Sequence, residues 1–381
     1  MRNRNGRVGT KPHLLHAFSN FIPNGTELRT VALIGAFGGE LRHSILSMDG
    51  RVSAAERLPA GVEVKLLPSP PRAGSLATAR RLRRLLAEEK PDLVLTYNWG
   101  AFDMLLAARS AGFRWLIHHE EGFNEDEAES FKLRRVLARR LALPGAHRLI
   151  VPSQCLRGIA TALWKLPAYK IRLIPNGILL DRFIPREGGG DPALRARLGI
   201  PEGATVVGTM GSLRPVKNFA RLLEACAMTR DLHVLMVGDG EDRSALERRA
   251  AAPDLAGRVH FAGYQADPAP FYRAMDLFAL SSDSEQMPLC LVEAMASGLP
   301  VAATDVGDVR AMLPLEQAPF LVSMDGTGTA RALGGRIAAL VRDPAARRDL
   351  GRLNRSRAEG SFAFEAMRAA YREVYASALR I

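Results

Sequence analysis

No apolar run in the 381-residue chain approaches the 18 or more residues of a membrane span. The basic start Met1-Arg2-Asn3-Arg4 leads into only a short apolar patch at Leu14 and Leu15, so no signal peptide is expected. Cysteine is scarce: Cys155, Cys226 and Cys290 are odd in number and widely spaced. That argues against a disulfide framework and a structural zinc site and makes the cytosol the natural compartment. Basic side chains are not interleaved with aromatics and no nucleic-acid-binding motif appears, so no nucleic-acid partner is expected. A Gly-x-Gly-x-x-Gly fingerprint is missing too, which disfavours a nicotinamide or flavin enzyme.

What is present is enough apolar residue, 47%, for two domains that each bury a core. Charge is uneven along the chain: residues 1–190 hold 29 Lys and Arg against 17 Asp and Glu, whereas residues 191–381 hold 23 of each. Two helical stretches supply much of the excess. One sets Arg80, Arg81, Arg83 and Arg84 beside Leu76, Leu82, Leu85 and Leu86; the other sets Lys132, Arg134, Arg135, Arg139 and Arg140 beside Leu133, Val136, Leu137 and Leu141. Each reads as a solvated face over a core stripe, or as a basic amphipathic helix able to rest on an anionic membrane surface.

Short β-like runs alternate with helical patterns, the signature of α/β layers around parallel sheets. Strands are predicted at 13–18, 44–48, 63–67, 93–97, 114–118, 148–151 and 171–174, then at 205–210, 233–237, 259–261, 277–280, 301–303 and 320–322. The run Arg186-Glu187-Gly188-Gly189-Gly190-Asp191-Pro192 is the best linker, since three successive glycines hold no packed element. The domain boundary is therefore expected near residue 186, giving 1–185 and 186–361.

The most informative stretch is Ser284-Glu285-Gln286-Met287-Pro288-Leu289-Cys290-Leu291-Val292-Glu293-Ala294-Met295-Ala296-Ser297-Gly298-Leu299-Pro300-Val301. Pro288 suits the first position of a helix, and Gly298 with Pro300 stops it. A helix from about 288 to 297 would leave the N–H groups of Leu289 and Cys290 facing outward with the positive end of its dipole, which suits a diphosphate. Glu293 lies further in and Glu285 on the loop before it. A carboxylate accepts two hydrogen bonds at once, so one of the two can hold paired ribose hydroxyls while the other lies near a sugar.

This stretch resembles the signature of the retaining glycosyltransferases of the GT-B group, family four, in which a Ser-x-x-Glu-Gly-x-Pro segment leads into Glu-Ala-Met-Ala. The resemblance continues in Ile174-Pro175-Asn176-Gly177, in Gly211-Ser212-Leu213-Arg214-Pro215-Val216-Lys217-Asn218 and in Val237-Gly238-Asp239-Gly240. It implies two Rossmann-like domains with parallel sheets facing across a cleft, the second holding the donor nucleotide and a final helix, 362–381, packing back on the first. It also implies a retaining sugar transfer to a hydroxyl acceptor from a nucleotide-diphosphate sugar, of UDP or GDP type, with that donor a substrate and no cofactor. No Asp-x-Asp pair, the metal signature of the other main glycosyltransferase fold, is present, which supports a metal-free mechanism. Then the negative charge of the leaving diphosphate falls to Lys217 and Arg214, expected at the start of one helix.

On the same resemblance Glu285, Lys217 and His118 are the expected catalytic residues, with His119 the alternate to His118 in the run His118-His119-Glu120-Glu121. Gly25, Gly211, Ser212, Arg214, Lys217, Gly240, Met287, Pro288, Leu289 and Glu293 are expected to line the donor. Gly25 belongs to Asn24-Gly25-Thr26-Glu27, which is similar to a Gly-Gly-x-Glu loop that closes over the diphosphate. Gly238 and Gly240 either let the backbone approach a ligand or only make a turn. The chain departs from the pattern at Asn24, Ser212, Gln286 and Ala311, where relatives carry glycine, arginine, glycine and glutamate. Rival readings are a glycosidase, a nucleotide-sugar epimerase of similar fold and a non-catalytic binding protein. The acceptor is expected to be a glycan or lipid-linked, with possible peripheral contact at the inner face of an anionic membrane.

Overall fold

The structure, a computed structural model, describes residues 11–70, 75–123, 127, 131–186, 191–324 and 328–379. The chain divides into two compact units, the first made of 1–175 with 367–381, the second of 176–366. In the first unit the strands are β1 His13–Phe18, β2 Arg42–Ser47, β3 Val64–Leu67, β4 Leu93–Tyr97, β5 Leu116–His119, β6 Arg148–Val151 and β7 Ile171–Leu173. They form one parallel sheet in the order β3-β2-β1-β4-β5-β6-β7. The second unit holds β8 Val206–Met210, β9 His233–Val237, β10 Val259–Gly263, β11 Leu277–Leu280, β12 Val301–Thr304 and β13 Leu321–Val322. Their order is β10-β9-β8-β11-β12-β13, again parallel throughout.

Every predicted strand forms, within two residues at either end. The reason is that a parallel sheet is covered on both faces, so its strands read as short apolar runs instead of alternating ones. All six residues of β1 and all four of β11 and β12 are buried. In the second unit one face packs Val206, Phe278, Met295 and Val301, the other Val207, Leu222, Leu277 and Ala302.

The unit boundary falls at Pro175, earlier than the glycine run. Residues after it are tied into the second unit by hydrogen bonds from the Ile178 N–H to Phe362 O and from the Phe364 N–H to Ile178 O, each 2.9 Å. Phe183 lies in that unit's core beside the Tyr272 ring. Residues 187–190, with the three glycines of the expected linker, lie outside the described residues. The last helix runs Phe364–Leu379, and from Met367 it belongs to the first unit, where Tyr371 stacks on His119 and Arg372 pairs with Glu40.

The two basic helices differ. In Ser75–Glu89 the arginines 80, 81, 83 and 84 are exposed above buried Leu82 and Leu86, an ordinary solvated face. In Leu133–Ala142 two of the expected surface cations turn inward. Arg139 is buried, 3.0 Å from Glu120 and 3.4 Å from Glu127, under the rings of Trp99 and Trp164, and Arg135 pairs with Glu127 at 2.8 Å. Among the described residues no helix is long and apolar enough to cross a membrane.

Candidate functional site

In an open parallel sheet ligands bind beyond the carboxyl ends of the strands, at the point where strand order reverses. In the second unit that point lies between β8 and β11. The loops that leave these two strands carry the signature residues. The loop after β8 turns at Gly211, whose φ of +153° suits glycine, and closes in a 3-10 turn, Pro215–Lys217. The loop after β11 runs through Ser281, Ser282 and Glu285 to the helix Leu289–Ala296. Across the crevice the Lys217 ammonium donates to Glu285 Oε1 at 2.5 Å, and the Ser282 hydroxyl donates to the same oxygen at 2.7 Å. Burial favours loss of the Lys217 proton, yet the Glu285 carboxylate beside it wins and holds the ammonium above its ordinary range.

Arg214 and Lys217 do not share an α-helix start as expected. Arg214 precedes the 3-10 turn and is exposed, without an ion pair to described residues, whereas Lys217 ends it. The next helix, Phe219–Ala227, begins only after Asn218, whose side chain accepts from the Arg221 N–H while its own backbone sits at φ +45°. The break falls at Asn218, whose left-handed backbone closes the 3-10 turn before the α-helix begins.

Pro288 stands one position earlier than expected, as the cap and not the first helical residue, with ψ at 119°. Its carbonyl accepts from Leu291 and Val292, so Leu289 and Cys290 are the first-turn N–H groups, as the spacing implied. One turn further in, Glu293 accepts from the Tyr272 hydroxyl at 2.7 Å. Burial raises the Glu293 carboxyl to about 7. Met287 is buried, its sulfur accepting from the Asn176 N–H at 3.1 Å, so Asn176 of the 174–177 motif meets the 284–289 segment within the second unit.

The glycines after β9 serve the backbone. A Cβ on Gly238 would lie 1.9 Å from Gly211 O, and one on Gly240 would lie 2.4 Å from Leu213 O. The Leu213 N–H donates to Asp239 O at 3.0 Å, so loops after β8 and β9 lie main chain against main chain. Ser212, at the rim, is exposed.

In the first unit the reversal lies between β1 and β4. Asn24 and Gly25 are exposed at the start of the helix Gly25–Phe37, and Glu27 in its first turn has its carboxyl raised to about 7 by burial. His118 and His119, adjacent on β5, point to opposite faces and both are fully buried. His118 Nδ1 meets the Thr96 hydroxyl at 2.8 Å and its Nε2 lies 3.6 Å from Glu120. His119 stacks on Tyr97 at 4.3 Å and is held well below its ordinary range by burial and by Arg29. Arg29 makes a bidentate pair with Glu121, whose N–H donates to the Asn98 side chain at 2.8 Å. Among the described residues no three His, Cys, Asp or Glu side chains are grouped to hold a metal ion.

Two family models match successive parts of the chain. Residues 24–177 match the glycosyl transferase 4-like domain and residues 191–357 the glycosyl transferases group 1. The chain belongs to the glycosyl transferases group 1 family and has the GT-B fold. Its relatives include a lipopolysaccharide core biosynthesis glycosyltransferase of Rhizobium meliloti, 35% identical over 48% of this chain and 53% of that one. Another is the Escherichia coli UDP-Gal:alpha-D-GlcNAc-diphosphoundecaprenol alpha-1,3-galactosyltransferase, 29% identical over 64% and 65%. The matched region thus spans about half to two thirds of these relatives. Among solved structures, Anabaena HepE in complex with UDP has the same fold, with a TM-score of 0.79 over 96% of this chain and 100% of that one at 21% identity.

Two residues of the candidate site carried no signal in the sequence. Tyr272 lies in the short helix Ala269–Arg273 and reads as one more apolar position, yet its hydroxyl fixes Glu293. Gly307, at φ +56°, lies so close to the signature loop that a Cβ would sit 2.0 Å from Glu285 O. The Val306-Gly307-Asp308 turn after β12 lies against this loop, the Asp308 N–H donating to Gln286 O at 3.1 Å.

Proposed function

We propose that this glycosyltransferase moves a sugar from a nucleoside-diphosphate sugar to a hydroxyl of a glycan or lipid-linked acceptor, with retention at the anomeric carbon. The observation that carries the proposal is the Lys217–Glu285 pair at the β8/β11 reversal, with the first-turn N–H groups of Leu289 and Cys290 and the Glu293 carboxylate on the adjoining helix. Each half of the pair satisfies the other until a diphosphate competes for the ammonium. Lys217 then turns to phosphate and frees Glu285 to orient the donor sugar. The Glu293 carboxylate, steered by Tyr272, accepts from the two ribose hydroxyls.

The bond from the anomeric carbon to the diphosphate oxygen breaks with its electron pair going to that oxygen. Lys217, Arg214 and the helix-start N–H groups meet the new charge. The acceptor oxygen bonds to the same carbon on the same face, and its proton passes to the departing phosphate. His118, shut from solvent between Thr96 and Glu120, enters as a positioning group for the end of β5. The names of the relatives, a lipopolysaccharide core enzyme and a galactosyltransferase acting on a diphosphoundecaprenol-linked sugar, favour polysaccharide or glycolipid assembly. HepE, solved with UDP, favours a UDP sugar as the first donor to try. On this reading the chain works in the cytoplasm at the inner face of a membrane.

The test is thermal stabilisation by UDP, GDP and ADP, followed by product analysis with the sugar nucleotide of the base that binds. A selective shift lost in Lys217→Ala and Glu293→Ala, with a product of unchanged anomeric configuration, is expected. Isomerised donor without transfer would replace this reading with the epimerase. Activity is expected to survive EDTA; activity lost in EDTA and restored by Mg²⁺ would overturn the metal-free step.

A further inference from the structure

The helix Leu133–Ala142 faces the wrong way for an ordinary amphipathic helix. The stripe that a 3.6-residue pattern assigns to the core is exposed: Leu133 by 72%, Leu137 by 46% and Leu141 by 76%, with Phe131 before them at 39%. The buried side consists of Val136, Arg139 and Ala142, and the Arg139 guanidinium is matched there by Glu120 and Glu127. Pairing Arg139 inside turns the leucines out. At about 100° per residue, Leu133, Leu137 and Leu141 occupy an arc of roughly 80°, with Arg140 about 20° beyond one edge and Arg134 about 20° beyond the other. Both arginines are exposed, and residues 131–143 contain no Asp or Glu.

We propose that this face docks on an anionic lipid bilayer, the leucines entering the level of the acyl chains and Arg134 and Arg140 reaching up to lipid phosphates. An apolar stripe edged by long cations is the arrangement that lies in a membrane interface, because arginine keeps its stem in the apolar layer and its charge in the headgroups. A bilayer suits the face better than a second copy of this chain. A two-fold contact through the stripe would set the arginines of both copies together without an acid on the helix to answer them. The other basic helix, Ser75–Glu89, buries Leu82 and Leu86 and shows no such stripe among its described side chains. The choice of a membrane rests on the glycolipid reading above, but the stripe's residues belong to the first unit and the donor residues to the second, and the two are tested by separate readouts.

The full chain is sedimented with vesicles of phosphatidylcholine, with and without phosphatidylglycerol, at low and high salt. Binding to the anionic vesicles is expected, weakened by salt. It is expected to fall at least about tenfold in Leu133→Asp/Leu141→Asp, by loss of the inserted area, and about fivefold for each of Arg134→Gln and Arg140→Gln. Arg80→Gln/Arg83→Gln should matter less than either. The leucines are exposed, so folding is spared, and unchanged thermal stabilisation by the donor nucleotide checks this in every variant. No binding of the wild-type chain to anionic vesicles, or undiminished binding of the leucine variant, overturns the proposal. So does a dimer in sedimentation equilibrium that the leucine variant dissolves, since the face would then belong to a second copy.

Discussion

The two units repeat one topology and use its reversal point in opposite ways. Between β1 and β4 the carboxyl ends are filled by the protein's own rings: Phe18 stacks on Tyr97 at 4.1 Å, Tyr97 on His119 at 4.3 Å, and His16 Nδ1 meets the Tyr97 hydroxyl at 3.1 Å. Burial holds His16 and His119 well below their ordinary range, so the stack is neutral and dry. Between β8 and β11 the same place holds an ammonium against a carboxylate, a hydroxyl and a helix start. The fold supplies the crevice in both cases, and the side chains decide whether rings or charges fill it.

The largest expected effect separates these uses outright. Lys217→Ala should lower kcat by about 10²–10³, the loss seen when one donor to a developing negative charge is removed. Arg29→Ala, in the first unit, leaves Glu121 buried and unpaired and should cost about 3–5 kcal/mol of stability in urea unfolding. Nucleotide-induced stabilisation should survive it. Loss of nucleotide binding in Arg29→Ala would break the contrast.

Gly307→Ala comes next. A side chain is strained at φ +56° and its Cβ would press on Glu285 O, so the donor KM should rise about tenfold while the helix content by circular dichroism stays. An unchanged KM would mean that the Glu285 loop is free to shift.

The Glu293 carboxyl gives a pH dependence whose sign can be worked out. Its value is raised from 4.5 to about 7, so the folded state holds the proton more tightly than the unfolded chain, and this group's contribution to stability falls as pH rises from 4.5 to about 7. Ribose hydroxyls donate to the ionised form, so donor affinity should rise over pH 6 to 8. Glu293→Gln should bind weakly at every pH and melt higher than the parent above pH 7. A pH-independent donor KM in the parent would remove Glu293 from the ribose. The smallest effect is Ser282→Ala, which loses one of the two hydrogen bonds that Glu285 Oε1 accepts while the Lys217 pair remains, and should lower kcat/KM only a few-fold.

Much of this was legible in the residues. Apolar runs of four to six in a doubly covered sheet leave a local mark, which is why the strands appeared where expected, and Pro288 with Gly298 bracketed the signature helix to within a residue. Lys217, Glu285 and Glu293 stood in motifs. The boundary was read too late because glycines report local freedom, whereas the attachment of residues 176–185 depends on partners such as Phe362 and Met287 far along the chain. Only the carbonyls of Gly211 and Leu213 opposite Gly238 and Gly240 show why neither position carries a side chain.

By itself the sequence determined the two-sheet α/β class, the thirteen strands among the described residues and the cations and carboxylates of the signature loops, because these are set by local periodicity and by residue type at fixed spacing. Tertiary structure alone decided which charges meet. Lys217 and Glu285 are 68 positions apart and are joined only by the reversal between β8 and β11. Arg139 and Glu120 likewise turn a helix that reads leucine-inward so that its leucines face out, because a buried guanidinium must be paired, and its partner sits on another element.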